Sequence, residues 1–248
     1  MRVIVQNIAT DYTRTGSGRV LLVLHGWGDS SASWQTFAAK LAKNYDVVVP
    51  DLPGFGLTEA PPEAWNLTDY ATFVRDFLQK IGVKPYAVMG HSNGGAIAIR
   101  GVGRGLFQAE KLVLLASAGV RSSNSATAYR VIAKVGKAIT APLPKRVTSK
   151  LRRKLYETAG SDLLVAEHMQ ETFKKIVRDD VRADAAYIST PTLLLYGAAD
   201  EQTPVKLGEQ LNHDIDGSSL RILNGAGHFI HLDAPEEVVS ATEEFLGE

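Results

Sequence analysis

Residues 90–94, Gly-His-Ser-Asn-Gly, place a reactive hydroxyl at a spacing that suits nucleophilic chemistry. They match G-x-S-x-G, in which a serine stands on a sharp turn between a strand and a helix. The flanking glycines leave room for that turn, and the following helix points its N-terminus at charge developing near the serine. An apolar run at 86–89 and the small residues after Gly94 predict the strand and the helix. The pattern predicts Ser92 as a nucleophile; the alternative is a chance match in a glycine-rich turn.

A base and an acid for this serine follow later in the chain. A serine hydroxyl becomes a useful nucleophile when a base removes its proton and a third group orients that base. A predicted strand at 192–196 runs into Asp200, and another at 219–223 runs into His228. Because the carboxyl ends of parallel strands meet at one edge of a sheet, we expect both side chains near Ser92. The alternative for Asp200 is a turn or helix N-cap aspartate.

The tetrahedral intermediate of acyl transfer needs two hydrogen-bond donors for its oxyanion. One is expected to be the backbone N–H of Asn93, directly after the serine. The second is expected to be the N–H of Trp27, on the loop after a predicted strand at 20–24. His25 and Gly26 are expected to hold that loop and to contact the substrate. The alternative is a plain strand-to-helix turn in which Trp27 only packs.

The remaining histidines predict no metal site, because no pair has ligand spacing beside suitable carboxylates. His91 is expected to pack or hydrogen-bond beneath the serine, and His231 either to support the site residues from behind or to be structural. No cofactor is predicted.

Short apolar runs alternate with helical patterns along most of the chain, which predicts a mostly parallel, twisted sheet with helices on both faces. The alternation stops at 121–187, where three helical segments are expected at 126–139, 146–158 and 162–178. We expect residues 1–120 and 188–248 to form the α/β core, and 121–187 to form a helical cap inserted after the sixth strand. The predicted strands are 2–5, 8–12, 20–24, 46–49, 86–89, 112–115, 192–196 and 219–223. Helices are expected at 33–43, from an N-cap at Thr68, from Gly94 onward, from Thr203-Pro204 toward Leu211, and from Ala234-Pro235.

Composition narrows the class of protein. Lysine plus arginine equals aspartate plus glutamate at 27 each, so no global charge predicts nucleic-acid or membrane binding. The absence of cysteine excludes thiol catalysis and disulfides. The polar N-terminus and the lack of a long apolar run predict a cytoplasmic protein. Residues 121–180 carry 13 basic and six acidic side chains, a pattern of solvated helix faces or of attraction to an anionic substrate or carrier protein.

Over essentially its full length the chain resembles the α/β-hydrolase superfamily, in its serine-nucleophile branch. The motifs that carry the resemblance are His-Gly-Trp-Gly at 25–28, Asp-Leu-Pro-Gly-Phe-Gly at 51–56, Gly-His-Ser-Asn-Gly-Gly at 90–95, Gly-Ala-Ala-Asp at 197–200 and Gly-His at 227–228. Carboxylesterases with an HGW loop are similar, as are pimeloyl-carrier-protein methyl ester esterases. Dehalogenases and epoxide hydrolases of the superfamily carry aspartate where this chain has Ser92. Asn93 departs from the Met, Leu or Gln common after the serine.

The resemblance implies the α/β-hydrolase fold and a triad of Ser92, His228 and Asp200. The expected reaction is hydrolysis of a small-molecule carboxylic ester, including an anionic or carrier-linked one, through an acyl-enzyme. Thioesters, lactones and activated C–C bonds are alternatives on the same triad. A ligand-binding protein without turnover is the alternative from another class; the oligomeric state stays open.

Overall fold

An eight-stranded sheet forms the centre of the computed structural model, which describes residues 1–121 and 166–247. Its strand order is β1-β2-β4-β3-β5-β6-β7-β8. The pairs β1–β2 and β2–β4 are antiparallel, and the pairs from β4 through β8 are parallel. The mostly parallel sheet expected from the sequence is therefore confirmed. The strands are β1 Arg2–Val5, β2 Ile8–Thr15, β3 Val20–Leu24, β4 Asp46–Pro50, β5 Ala87–His91, β6 Lys111–Leu115, β7 Thr192–Gly197 and β8 Ser219–Leu223.

Helices cover both faces of this sheet, which explains why its central strands are continuous apolar runs. Every residue of β4, β5 and β7 is buried. Phe73 and Phe77 pack on one face, whereas Trp34 and Phe245 pack on the other. No helix within the described ranges has the length and apolarity to cross a bilayer. The helices are α1 Ser31–Leu41, α2 Leu67–Lys80, α3 Asn93–Gly103, α4 Gln170–Ile176, α5 Arg182–Ala185, α6 Val205–Asp214, α7 Ile230–Asp233 and α8 Pro235–Gly247, with a 3-10 turn at Glu167–Met169.

The start of α2 differs from the prediction, because Asn66 rather than Thr68 is its N-cap. The Asn66 side chain accepts hydrogen bonds from the N–H groups of Thr68 and Asp69. The Asp69 carboxylate in turn accepts from the Asn66 N–H at 2.8 Å. This reciprocal capping box satisfies more of the free backbone donors than a threonine cap two residues later would.

Part of the predicted cap lies outside the described residues. The helices expected at 126–139 and 146–158 fall entirely there, as does the beginning of the one expected at 162–178. The rest of that last segment forms the 3-10 turn Glu167–Met169 and α4, and α5 follows. The division into a core and a cap stays a prediction.

A buried ion-pair network fixes the segment that returns to the sheet before β7. Arg100 of α3 is 4% exposed and its Nε lies 2.6 Å from Oδ2 of Asp184 in α5. Its Nη2 lies 3.1 Å from Oδ1 of Asp179. Asp184 also pairs with Arg104 at 2.7 Å. Each buried charge thus has a partner of opposite charge, which offsets the cost of its burial. These ion pairs connect the returning segment to the helix that follows Ser92.

We expect Gly94→Ala to destabilise the protein by about 3 kcal/mol or more, as judged by urea unfolding. A β-carbon at position 94 would lie 2.1 Å from the carbonyl oxygen of Leu24. That neighbour is backbone at the end of a central strand and cannot move aside, so α3 would have to shift. Gly105→Ala is the control: its φ is +66° but nothing lies within 4 Å, so we expect a cost of about 1 kcal/mol. Equal losses for the two variants would contradict this account of the turn.

Candidate active site

Ser92 stands alone between β5 and α3 in a strained conformation. Its φ of 51° and ψ of −117° are unusual for a residue with a side chain, and neighbouring hydrogen bonds hold it there. The Ser92 N–H donates to the carbonyl of Leu115, and the Ser92 carbonyl accepts from Gly95 and Ala96. Ser92 is half-buried, whereas Asn93 after it is buried. The turn therefore presents the serine and no other residue of the motif to the site.

The loop after β3 passes close to this turn. A β-carbon built on Gly26 would lie 3.4 Å from Cβ of Ser92. The backbone of Gly26 therefore lies beside the serine. The role of the Trp27 and Asn93 N–H groups as oxyanion donors stays a prediction.

His25 holds this loop from below. Its imidazole is fully buried, and its Nε2 accepts a hydrogen bond from the Leu52 N–H at 2.9 Å. Nδ1 must then carry the hydrogen, which it donates to the Gly26 carbonyl at 2.8 Å. Burial lowers the pKa of His25 and keeps the ring neutral. The expected substrate contact of the His25 side chain is thereby corrected, because the ring has no exposed surface and both nitrogens are engaged.

The side chain of Trp27 joins three segments around the site. Its ring packs edge-on against Phe55 with centroids 4.8 Å apart, and against Phe173 of α4 at 5.1 Å. Asp51 anchors the loop that carries Phe55 by accepting hydrogen bonds from the N–H groups of Ser31 and Leu57. The motif at 51–56 therefore supports the loop after β3.

Asp200 and His228 form a buried pair. Oδ2 of Asp200 lies 2.9 Å from Nδ1 of His228, and the two side chains are 0% and 7% exposed. Burial by itself raises the pKa of Asp200, but hydrogen bonds and charge from His228 and hydrogen bonds from Thr203 outweigh it and lower the pKa below its ordinary value. Asp200 is thus an anion that can orient an imidazole and stabilise its protonated form.

Backbone contacts bring these two loops together at the carboxyl edge of the sheet. The N–H of Ala198 donates to the Leu223 carbonyl, and that of Ala199 to the Ala226 carbonyl, both at 2.9 Å. Two backbone hydrogen bonds thus connect the loop after β7 to the loop after β8. Asp200 and His228 consequently meet although 28 residues separate them.

His91 connects the pair to the serine turn. Its Nε2–H donates to the backbone carbonyl of His228 at 3.0 Å, and the two rings lie 4.9 Å apart. His91 thus hydrogen-bonds to the loop that carries His228. Within the described residues, Ser92 Oγ makes no hydrogen bond to His228. Nucleophile–base bonds of this kind are often long without substrate and shorten when it binds.

A layer of neutral rings lies behind the site. His231 is buried and stacks on Trp34 with centroids 4.0 Å apart and planes within 11°. Neither of its nitrogens has a hydrogen-bond partner in the part of the chain that the structure describes. Burial lowers the pKa of His231 to about 4, and burial together with the charges of His228 and His231 lowers that of His91 well below its ordinary range. A structural or supporting role for His231, expected from the sequence, stays a prediction.

Thr203 is a site residue that the sequence analysis used only to begin a helix. Its hydroxyl lies 2.7 Å from Oδ2 of Asp200 and 3.1 Å from Nδ1 of His228. The signal available in the sequence is the three-residue spacing from Asp200, which is typical of an aspartate that accepts from the backbone two and three residues later. Asp200 is such a turn aspartate and also binds the histidine, so its turn contacts leave the predicted role open.

Comparison with known proteins gives the family. A model of the alpha/beta hydrolase family matches residues 20–241. The chain belongs to the alpha/beta hydrolase family. An uncharacterized protein of Mycobacterium tuberculosis is 26% identical over 93% of this chain and 76% of its own length. The pimeloyl-acyl-carrier-protein methyl ester esterase of Legionella pneumophila is 24% identical over 93% of this chain and 96% of its own.

Among solved structures, that of a bacterial membrane phospholipase A superposes on this alpha/beta hydrolase with a TM-score of 0.80. The two sequences are 28% identical, and the match covers 100% of this chain and 85% of the other. The fold and the family resemblance expected from the motifs are therefore confirmed.

The buried ring of His231 predicts that the protein loses stability in acid. Its pKa is about 4 in the folded protein, against about 6.5 in an unfolded chain. Between these values the unfolded chain binds a proton that the folded protein excludes, so the free energy of unfolding decreases as pH falls. Protonation of His231 lowers the free energy of unfolding by about 3 kcal/mol at a pH near its folded-state pKa of about 4. Above about pH 6.5 His231 causes no such decrease.

His231→Phe tests this, because phenylalanine can stack on Trp34 but cannot take a proton. We expect its free energy of unfolding in urea to decline less steeply than that of the wild type between about pH 6.5 and about pH 4. His213→Gln, at a histidine whose side chain is 83% exposed, is the control and should keep the wild-type slope. Parallel slopes for His231→Phe and the wild type would rule out this role.

Proposed function

We propose that this alpha/beta hydrolase is a serine esterase that cleaves carboxylic esters through an acyl-enzyme intermediate. The observation that carries the proposal is the buried Asp200–His228 pair, 2.9 Å apart, at the edge where Ser92 stands at φ 51°. A carboxylate, an imidazole and a raised serine hydroxyl on successive loops are the parts that this chemistry requires.

The acylation step follows from the positions of these groups. Asp200 accepts the hydrogen of Nδ1, which leaves Nε2 of His228 able to take the proton of Ser92 Oγ as that oxygen attacks the ester carbonyl. The imidazolium that forms is stabilised by the Asp200 carboxylate, which stays ionised. Collapse of the tetrahedral intermediate breaks the bond to the alkoxy oxygen, and His228 returns the proton to the departing alcohol.

The oxyanion of that intermediate is proposed to bind the N–H groups of Trp27 and Asn93. Both belong to backbone that is already fixed, so the donors need no reorganisation as the charge develops. Asn93 also begins α3, whose eleven residues direct a positive N-terminal dipole toward the same oxygen. Hydrolysis of the acyl-enzyme repeats the sequence with water as the nucleophile and His228 as its base.

The substrate class is proposed from the relatives' names and from charge. One relative is named as a methyl ester esterase of an acyl carrier protein and another as a phospholipase, which supports an ester substrate. The 13 basic against six acidic side chains at 121–180 favour an anionic or carrier-linked ester, although most of them lie outside the described residues. A panel of ester, thioester and lactone substrates separates the alternatives on the same triad.

Ser92→Ala is expected to lower kcat on p-nitrophenyl butyrate by about 10⁴-fold or more, because it removes one member of a cooperating unit. The fold should persist, since the turn accepts a smaller side chain. A fluorophosphonate should label Ser92 and no other serine, as read by peptide mass spectrometry. Ser240→Ala, at an exposed serine of α8, is the control and should leave turnover unchanged. Tight ligand binding without turnover in the wild type would favour a binding protein instead.

Asp200→Asn is expected to lower kcat by at least about 10²-fold, yet less than His228→Ala. The asparagine amide can donate to Nδ1 and so favour the wrong tautomer, but the proton-transferring group remains. Asp216→Asn, at an exposed loop aspartate, is the matched control. If Asp200→Asn kept nearly full activity, the acid of the site would have to be another residue.

A further inference from the structure

Thr203 forms hydrogen bonds to both oxygens of the Asp200 carboxylate. Its backbone N–H donates to Oδ1 at 2.8 Å, and its hydroxyl lies 2.7 Å from Oδ2. Asp200 and Thr203 are each 5% exposed, so solvent has little access to these oxygens. Two bonds from one residue to the two carboxylate oxygens fix the carboxylate plane as well as its position.

The same hydroxyl faces two further groups. Thr203 Oγ1 lies 3.0 Å from the Ala116 carbonyl oxygen and 3.1 Å from Nδ1 of His228. Ala116 follows β6 and has a φ of 44°, and its own N–H donates to the Leu195 carbonyl in β7. The hydroxyl therefore lies where the loops after β6, β7 and β8 converge.

Counting hydrogens restricts the protonation of His228. A threonine hydroxyl has a single hydrogen, and both Oδ2 of Asp200 and the Ala116 carbonyl can only accept it. Oδ2 is charged and lies nearer, at 2.7 Å against 3.0 Å for the carbonyl, so it receives that hydrogen, and Oγ1 turns a lone pair toward Nδ1. Nδ1 consequently faces two acceptors, Oδ2 at 2.9 Å and Oγ1 at 3.1 Å. Only a ring that carries its hydrogen on Nδ1 is compatible with both.

We propose that Thr203 is a positioning residue of this hydrolase that holds the Asp200 carboxylate in plane and keeps His228 in the Nδ1–H tautomer. The inference rests on the proposed function, since that tautomer leaves Nε2 free to take the serine proton. Thr203 does not touch the reacting atoms and acts through Asp200 and His228. An apolar residue of the same shape at position 203 would leave one carboxylate oxygen with one donor fewer and Nδ1 with one acceptor fewer.

The test compares Thr203→Val, which keeps the shape but loses the hydroxyl, with Thr203→Ser, which keeps the hydroxyl. For hydrolysis of p-nitrophenyl butyrate we expect Thr203→Val to lose about 10-fold or more in kcat with little change in KM, because the loss is felt once charge develops on the imidazole. Thr203→Ser should stay within about threefold of the wild type. Nitrogen-15 NMR of the His228 ring should show one tautomer in the wild type and in Thr203→Ser, and a mixture in Thr203→Val.

Wild-type kcat and a single tautomer in Thr203→Val would overturn the inference. So would equal losses in the Val and Ser variants with a matching drop in Tm, since that pattern indicates packing alone. If Thr203→Val does not fold, Thr203→Ala against Thr203→Ser makes the same comparison with one oxygen atom as the difference. Ser92→Ala is measured in parallel: full turnover there would refute the proposed function, whereas the NMR result needs no turnover and judges Thr203 separately.

Discussion

The buried charge of Asp200 is the constraint on which the rest of the site depends. A carboxylate removed from water costs several kcal/mol unless donors surround it. Here Oδ1 accepts from the N–H groups of Gln202 and Thr203, while Oδ2 accepts from the Thr203 hydroxyl and from Nδ1 of His228. Three of the four donors come from the turn that carries Asp200. The fourth must come from another loop, so satisfying this charge also fixes where the imidazole stands.

The parallel sheet makes that arrangement possible by ending its strands at one edge. The loops after β5, β6, β7 and β8 meet there, and each contributes one group to the candidate site. Ser92 comes from the first, the Ala116 carbonyl from the second, Asp200 from the third and His228 from the fourth. Short backbone bonds between the loops after β7 and β8, and the His91 bond to the His228 carbonyl, remove the freedom that loops would otherwise have. Orientation is thereby fixed before any substrate arrives.

The sequence predicted those features that depend on local pattern. The distribution of apolar residues identified all eight strands within a few residues, and glycine spacing identified the turn at Ser92. Features that depend on contacts between distant segments were missed or misplaced. Asn66 caps α2 through reciprocal hydrogen bonds with Asp69. His25 accepts a hydrogen bond from the Leu52 N–H. Thr203 contacts His228 because the loop after β8 reaches the loop after β7. The spacing of Thr203 from Asp200 indicates the contacts of the turn, but not the contact with His228, which lies 25 residues further along the chain.

Two unfavourable features lie at the turn between β5 and α3. Ser92 occupies a conformation that costs of the order of 1–3 kcal/mol. Beside it, both side-chain polar atoms of Asn93 are buried without a hydrogen-bond partner in the described residues, a further penalty. The proposed oxyanion role uses only the backbone N–H of Asn93, and its side-chain polar atoms form no hydrogen bond within the described residues that would stabilise the turn. What secures it is the surrounding packing: the carbonyls of Leu24 and His25 against Gly94, the buried face of α3, and the Arg100 ion pairs behind it. The packing of the surrounding fold therefore stabilises the strained turn at Ser92, where the chemistry is proposed.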